Sequence, residues 1–235
     1  MKTLQGRIGP FAERPYYTQE EIERICTTAL RKSDLYPASP SPIRIERFIE
    51  KHFNLSPVYD DLPEGVLGFT RFGSKGVEEI IISKTLAEEG SKVAERRLNS
   101  TLAHEAGHGL LHAHLFVVES LNTPLFGEVE SGKRIKVLCR EEIVGKQAEK
   151  KYDGKWWEYQ ANKVIGSLLL PKSLVLENLR SLLTKQGSLE QLSLLPSKRE
   201  DAAKILASTF EVNPVVARIR LNELYPLKND SQLTL

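Results

Sequence analysis

Between Lys92 and His114 the chain repeats apolar residues at a helical period, Val93, Leu98, Leu102, Ala106 and Leu110, and carries within that run His104-Glu105-Ala106-Gly107-His108. Positions i and i+4 of an α-helix share one face about 6 Å apart along the axis, so both imidazoles project toward one point with Glu105 beside them. Any fold of this chain must accommodate two imidazoles and a carboxylate on an otherwise apolar helix. Gly107 and Gly109 lie in the same run, where glycine is tolerated at a cost of about 1 kcal/mol each.

The pentad is an HExxH motif, and its residue types suit metal chemistry. Neutral imidazole nitrogens bind Zn²⁺ without cancelling its charge, so the ion can acidify water and polarise a carbonyl. Glu105 is then the general base and not a ligand. The competing reading is two core histidines on an amphipathic helix beside an incidental glutamate. A catalytic zinc takes three protein ligands and keeps one position open. His112 is eight residues past His104, about 12 Å along the axis, too far to share one ion with the first pair. Packing or a hydrogen bond to a ligand accounts for it better, and His114 points away from the ligand face. The third ligand is therefore expected to be a carboxylate. Glu158 stands out because it opens an apolar helix, Trp156-Trp157-Glu158-Tyr159-Gln160-Ala161-Asn162, that must pack near the pentad. Glu119, Glu128, Glu130, Glu141 and Glu142 remain open alternatives.

Around this helix the pattern predicts an α+β fold. Thr18 and Glu21 form a capping box ahead of Ile22, Ile25, Cys26, Ala29 and Leu30. Ser41-Pro42 reads as the start of a second helix bearing Ile45, Phe48 and Ile49. Runs at Leu55–Tyr59, Val66–Phe72 and Val77–Ile82, divided by Gly and Pro, read as strands. The active helix is expected to end near His114, and 115–155 is expected to be a flap containing a hairpin, Phe126–Val129 with Ile135–Leu138. Helices follow over Trp156–Leu170, Ser173–Leu183, Glu200–Thr209 and Pro214–Leu224, the last capped by Asn213. The final pair resembles a helix-turn-helix, with Glu211 where glycine often stands.

Residues 99–114, NSTLAHEAGHGLLHAH, together with 158–175, EYQANKVIGSLLLPKSLV, resemble the ImmA/IrrE family of metallopeptidases. The likeness extends more weakly upstream through PIRIERFIEKHFNLSPV at 42–58 and covers most of 18–183. Leu170 and Gln160 depart from the family's usual Met and Glu, and the 50 positions from His108 to Glu158 exceed its short forms. The resemblance implies a zincin-like metallopeptidase domain over 1–185, with 115–155 as a flap, and a C-terminal helical region over 186–235. It implies His104, His108 and Glu158 as metal ligands, Glu105 as catalytic base, and Asn162 as a group orienting the ligand carboxylate. The cofactor would be Zn²⁺, with Mn²⁺ the other candidate. The implied activity is endopeptidase cleavage of a protein substrate, a transcriptional repressor.

Composition restricts the other classes. With 33 basic and 31 acidic residues the net charge is +2, so there is no global excess to hold nucleic acid. From Lys198 to Glu223 five basic residues face four acidic ones, which disfavours direct DNA binding. The N-terminus lacks an apolar leader run, and no segment is apolar over a membrane's width. Cys26 and Cys139 are too few and too far apart for a disulfide framework, which points to a reducing cytoplasm. Cys26 reads as core. Cys139 reads as an inert thiol, the other reading being a thiolate on the metal's open position. Tyr152 and Tyr159 are candidate oxyanion donors; Trp156 and Trp157 anchor a helix start. Two non-enzymatic readings stand beside the peptidase. One is a metal-stabilised regulator binding DNA or a partner through its last helices, and the other is an antitoxin-like protein with a vestigial pentad.

Overall fold

The computed structural model describes residues 2–5, 13–73, 75–121, 137–141, 156–186 and 191–227. It is a mixed α+β structure whose central feature is a helix, α4 (Lys92–Leu121), enclosed between a small sheet and other helices. From Thr101 to Gly109 every residue of α4 is buried. A helix buried on all sides has no solvent face, and its polar residues must find partners inside the protein.

The sheet beside it has four strands in the order β3 (Val58–Asp60), β5 (Gly76–Ser83), β4 (Val66–Gly73) and β6 (Val137–Glu141). β3 runs parallel to β5, and the β4–β5 and β4–β6 pairs are antiparallel. Gly76, at φ +117°, makes the tight β4–β5 turn that a side-chain-bearing residue would strain. Gly68 on β4 lets α4 come close, since a Cβ there would lie 3.1 Å from Thr101 Cγ2 and 3.0 Å from the Ile81 carbonyl oxygen. A short helix, α3 (Lys84–Glu88), joins the sheet to α4.

On its other side α4 packs against α5 (Trp156–Leu169), which in turn packs on α1 (Gln19–Lys32). The capping box is present: Glu21 N donates to Thr18 Oγ1 at 3.2 Å, and Thr18 N to Glu21 Oε2 at 3.0 Å. Gly107 decides how closely α4 and α5 cross, because a Cβ built there would sit 2.9 Å from Val164 Cβ and 3.3 Å from Ala161 Cα. The glycine that weakens the helix locally is what permits the crossing. A hairpin, β1 (Lys2–Gln5) with β2 (Glu13–Tyr16), precedes α1.

Several expectations are corrected. The second helix, α2 (Ile45–Phe53), begins three residues later than Ser41-Pro42 implied. Ser41 Oγ donates to the Ser39 carbonyl instead of capping, and Ile43 is buried ahead of the first turn. α4 runs on to Leu121, so the first residues assigned to the flap are helical, and Val137–Glu141 is an edge strand on β4. Residues Phe126–Val129, Ile135, Lys136, Glu128, Glu130, Glu142 and Tyr152 lie outside the described residues. The helix expected over Ser173–Leu183 is shorter, α6 (Lys172–Asn178), followed by a hairpin of β7 (Leu183–Gln186) and β8 (Gln191–Leu194). No helix among the described residues is long and apolar enough to cross a membrane.

α7 (Arg199–Thr209) and α8 (Pro214–Leu224) form the expected pair, with Asn213 Oδ1 accepting from Val215 N and Glu211 in the left-handed region at φ +53°. They share one core with the rest: Ala202, Leu206, Ala217 and Leu221 join Ile22, Leu102 and Val164 in a single apolar cluster. Arg220 locks α8 in place. Fully buried, it donates to the Leu170 carbonyl at 3.0 Å and pairs with Glu23 of α1 and with Glu223, which also holds Lys163 of α5 at 2.8 Å.

Gly107→Ala is expected to lower the unfolding free energy by about 1 kcal/mol in urea titration. The steric cost of about 1–3 kcal/mol outweighs the helix-propensity gain of about 1 kcal/mol; a raised midpoint would contradict the close-crossing account. Arg220→Leu is expected to cost about 3–5 kcal/mol by the same measurement, because it takes the buried cation from Glu23 and Glu223 and the donor from the Leu170 carbonyl. A loss under 1 kcal/mol would show that α8 is not anchored this way.

Candidate metal centre

His104 and His108 lie one turn apart on α4, and Glu158 in the first turn of α5 faces them across the Gly107 crossing. His104 Nε2 is 3.0 Å from His108 Nε2 and 3.0 Å from Glu158 Oε2, and His108 Nε2 is 3.5 Å from Glu158 Oε1. Among the described residues these three form the one group of histidine, cysteine and carboxylate side chains able to hold a metal ion. The sequence-stated ligand triad is thus brought together. Glu119 lies on α4 and Glu141 on β6, and their side chains lie outside the described residues.

The donor set fits a cation. Asn162, one turn past Glu158 on α5, presents Oδ1 at 3.1 Å to His104 Nδ1. That oxygen can only accept, so His104 Nδ1 carries the proton and Nε2 keeps its lone pair toward the centre. A lone pair facing a carboxylate oxygen at 3.0 Å is repulsive without positive charge between them. The role expected of Asn162 is corrected here: its partner is the imidazole and not the carboxylate.

Burial and charge act in opposite directions on Glu158. Desolvation raises its pKa, and a proton or positive charge on the side of His104 and His108 reverses this, holding the carboxyl well below the usual range.

Glu105 projects from the same turn of α4 toward β4. Thr70 Oγ1 donates to Glu105 Oε2 at 2.7 Å and lies 3.1 Å from the Glu105 carbonyl oxygen. Thr70 and Glu105 are both fully buried. Sequence reasoning did not single out Thr70, although a signal exists. In β4 the inward positions alternate as Gly68, Thr70 and Phe72, and Thr70 is the polar residue on that face.

His112 stays out of the group, as its distance along the helix requires, and instead contacts His108, Nδ1 to Nδ1, at 3.1 Å. Burial, and after it the neighbouring His108, push its pKa well below the ordinary histidine value, so its ring is neutral. Trp156 is buried with its ring edge-on to His112, centroids 5.5 Å apart, and serves as an anchor for the start of α5. Tyr159 is exposed. Cys139 registers opposite Phe69 on β4, one position from the Leu138–Thr70 pair. Cys26 is buried core, with its thiol pushed up by desolvation.

The C-terminal cations are largely engaged within the protein. Arg218 pairs with Glu200 at 2.7 Å, Arg199 donates to the Tyr225 carbonyl at 2.7 Å, and Arg220 is buried. Comparison with protein-family models and with curated proteins finds no match.

Replacing Glu158 by Ala is expected to weaken binding of Zn²⁺ or Co²⁺, measured by chelator competition, by more than the roughly 10–100-fold that loss of an outer hydrogen-bond partner costs. Unchanged affinity would assign the third ligand to another carboxylate.

Proposed function

We propose that this chain is a metal-dependent endopeptidase of zincin-like architecture, with His104, His108 and Glu158 as ligands and Glu105 as general base. The observation that carries the reading is the convergence of two imidazole nitrogens and a carboxylate, with Glu105 on the same helix as the two histidines. Zinc bonds of about 2.0–2.2 Å arranged tetrahedrally separate their ligand atoms by about 3.3–3.6 Å. Here His104 Nε2 lies 3.0 Å from His108 Nε2 and from Glu158 Oε2, and His108 Nε2 lies 3.5 Å from the other carboxylate oxygen, Oε1, so the closer donors need open by only a few tenths of an ångström to take the ion. Mn²⁺ is the second ion to test on the same donors.

When bound, the ion supplies Lewis acidity, acidifying water and polarising the scissile carbonyl. The chain's own residues do the remainder. Glu105 takes a proton from water at its carboxylate and returns it to the departing amine, a role that typically contributes about 10²–10⁴-fold. Thr70 holds that carboxylate in one rotamer, so the base is aimed before substrate arrives. Asn162 keeps His104 in the tautomer that offers Nε2.

The substrate reading, a transcriptional repressor cut in the same compartment, rests on the resemblance to ImmA/IrrE peptidases. The ion pairs of Arg218 and Arg220, with the carbonyl contact of Arg199, speak against the alternative in which the last helices hold DNA, since cations already engaged within the protein contribute little to phosphate contacts.

Glu105→Gln keeps the side-chain volume and an acceptor for Thr70 while removing the base. The variant is expected to retain one equivalent of zinc and an unchanged melting temperature. Its release of new amino termini from a mixture of purified repressors, read by mass spectrometry, should fall at least about 10²-fold. Cleavage at the parent rate would refute Glu105 as base.

A further inference from the structure

His112, Gln160 and the backbone of β2 make a second set of contacts behind the metal group. His112 is fully buried, and its two ring nitrogens have different neighbours: Nδ1 lies 3.1 Å from His108 Nδ1, and Nε2 lies 3.1 Å from Gln160 Oε1. On its other side, Gln160 Nε2 donates to the Pro15 carbonyl at 2.8 Å.

We propose that His112 and Gln160 are positioning residues that set the tautomer of His108 from the Pro15 carbonyl, holding the His108 Nε2 lone pair ready for a cation. The inference rests on the metal-site reading above.

The direction of the chain follows from which groups can only accept. A peptide carbonyl has no proton to give, so the Gln160 amide must turn its nitrogen toward Pro15 and its oxygen toward His112. Turned the other way, two oxygens would face each other at 2.8 Å. An amide oxygen only accepts, so His112 Nε2 carries the proton. A ring buried without solvent beside a second imidazole holds one proton, leaving His112 Nδ1 as the acceptor. His108 Nδ1, 3.1 Å away, therefore donates, and His108 Nε2 is left with its lone pair. That nitrogen faces His104 Nε2 at 3.0 Å and Glu158 Oε1 at 3.5 Å.

The two ligand histidines thus reach the same state by different routes, both passing through α5. Asn162 acts on His104 in one step. For His108 the partner is a third histidine one turn further along α4, and Gln160 acts through it. Without the acceptor at Gln160, the His112 proton gains nothing by staying on Nε2. Moving it to Nδ1 would make His108 Nδ1 the acceptor and put a proton on His108 Nε2, where the cation must bind. The last link also ties the N-terminal hairpin to the site, because Pro15 belongs to β2.

The test reads tautomers directly. In zinc-free, histidine-¹⁵N-labelled protein, long-range ¹H–¹⁵N correlation is expected to show His108 protonated at Nδ1 with an unprotonated Nε2, and His112 protonated at Nε2. A His108 protonated at Nε2 in the parent protein would overturn the relay without any substitution. Gln160→Leu is expected to shift His108 toward the Nε2-protonated form and to weaken zinc binding, measured by chelator competition, by about 10–100-fold. Gln160→Glu keeps an acceptor toward His112, its carboxyl proton replacing the amide N–H toward the Pro15 carbonyl, and is expected to restore the parent tautomer and an affinity within about threefold. Equal losses in the Leu and Glu variants with unshifted tautomers would reduce Gln160 to packing. Failure of the metal reading looks different: the parent protein would show the expected tautomers and take up no zinc.

Discussion

A helix whose turns from Thr101 to Gly109 are enclosed on every side, and which carries His104, Glu105, His108 and the buried His112, is the constraint on which the structure turns. A buried polar group left without a partner costs about 1–3 kcal/mol, and four of them would consume much of a domain's net stability of about 5–15 kcal/mol. The partners come from the two elements that press closest on α4: Thr70 from β4, and Glu158, Gln160 and Asn162 from α5. Both approaches rely on glycine. Gly68 brings β4 against Thr101, and Gly107 brings α5 to within contact of the pentad. Close packing and polar satisfaction are therefore one requirement, met at the same crossings, and the atoms left converging are those suited to a cation.

How much of this was legible depends on the range of each signal. The pentad needs only helical spacing, and the strands, the α1 capping box and the Asn213 cap are equally local. Each appears where the pattern put it except the first of those strands, expected over Leu55–Tyr59 and found over Val58–Asp60. Glu158 needed a helix-start argument and a family resemblance, because nothing within α5 alone says which carboxylate turns toward α4. Thr70 and Gln160 were not foreseen as parts of the site, since their roles exist only after β4 and α5 dock. For Asn162 the spacing from Glu158 suggested a carboxylate partner, but the crossing angle delivers it to His104. The misread segment after α6 has a different cause. Its apolar residues suit a helix as well as a strand, and the Gly187-Ser188 step between two short runs was the hairpin signal that should have decided it.

The C-terminal helices show why composition alone misjudges a helix-turn-helix. Five basic residues in that region look like a weak phosphate-binding face, but the one at the centre of α8, Arg220, points inward and holds α1, the end of α5 and α8 together. Gly166 accommodates it, since a Cβ there would lie 3.1 Å from Arg220 Cδ. The helix that carries the ligand carboxylate is thereby braced from behind by the last helix of the chain.

Two carboxylates flank the histidines in surroundings that separate what they can do. Glu158 faces the two imidazole nitrogens and sits at the solvent-facing side of the group, with 17% of its side chain accessible. A charge so placed is suited to balancing a cation. Glu105 is wholly enclosed and accepts the Thr70 hydroxyl from the sheet. A carboxylate hydrogen-bonded to a hydroxyl can still take up a proton, whereas one gripped by a metal spends its lone pairs on coordination. Environment thus separates a carboxylate suited to a cation from one suited to a proton, though their intrinsic chemistry is the same, and the separation is set by which wall of α4 each one meets.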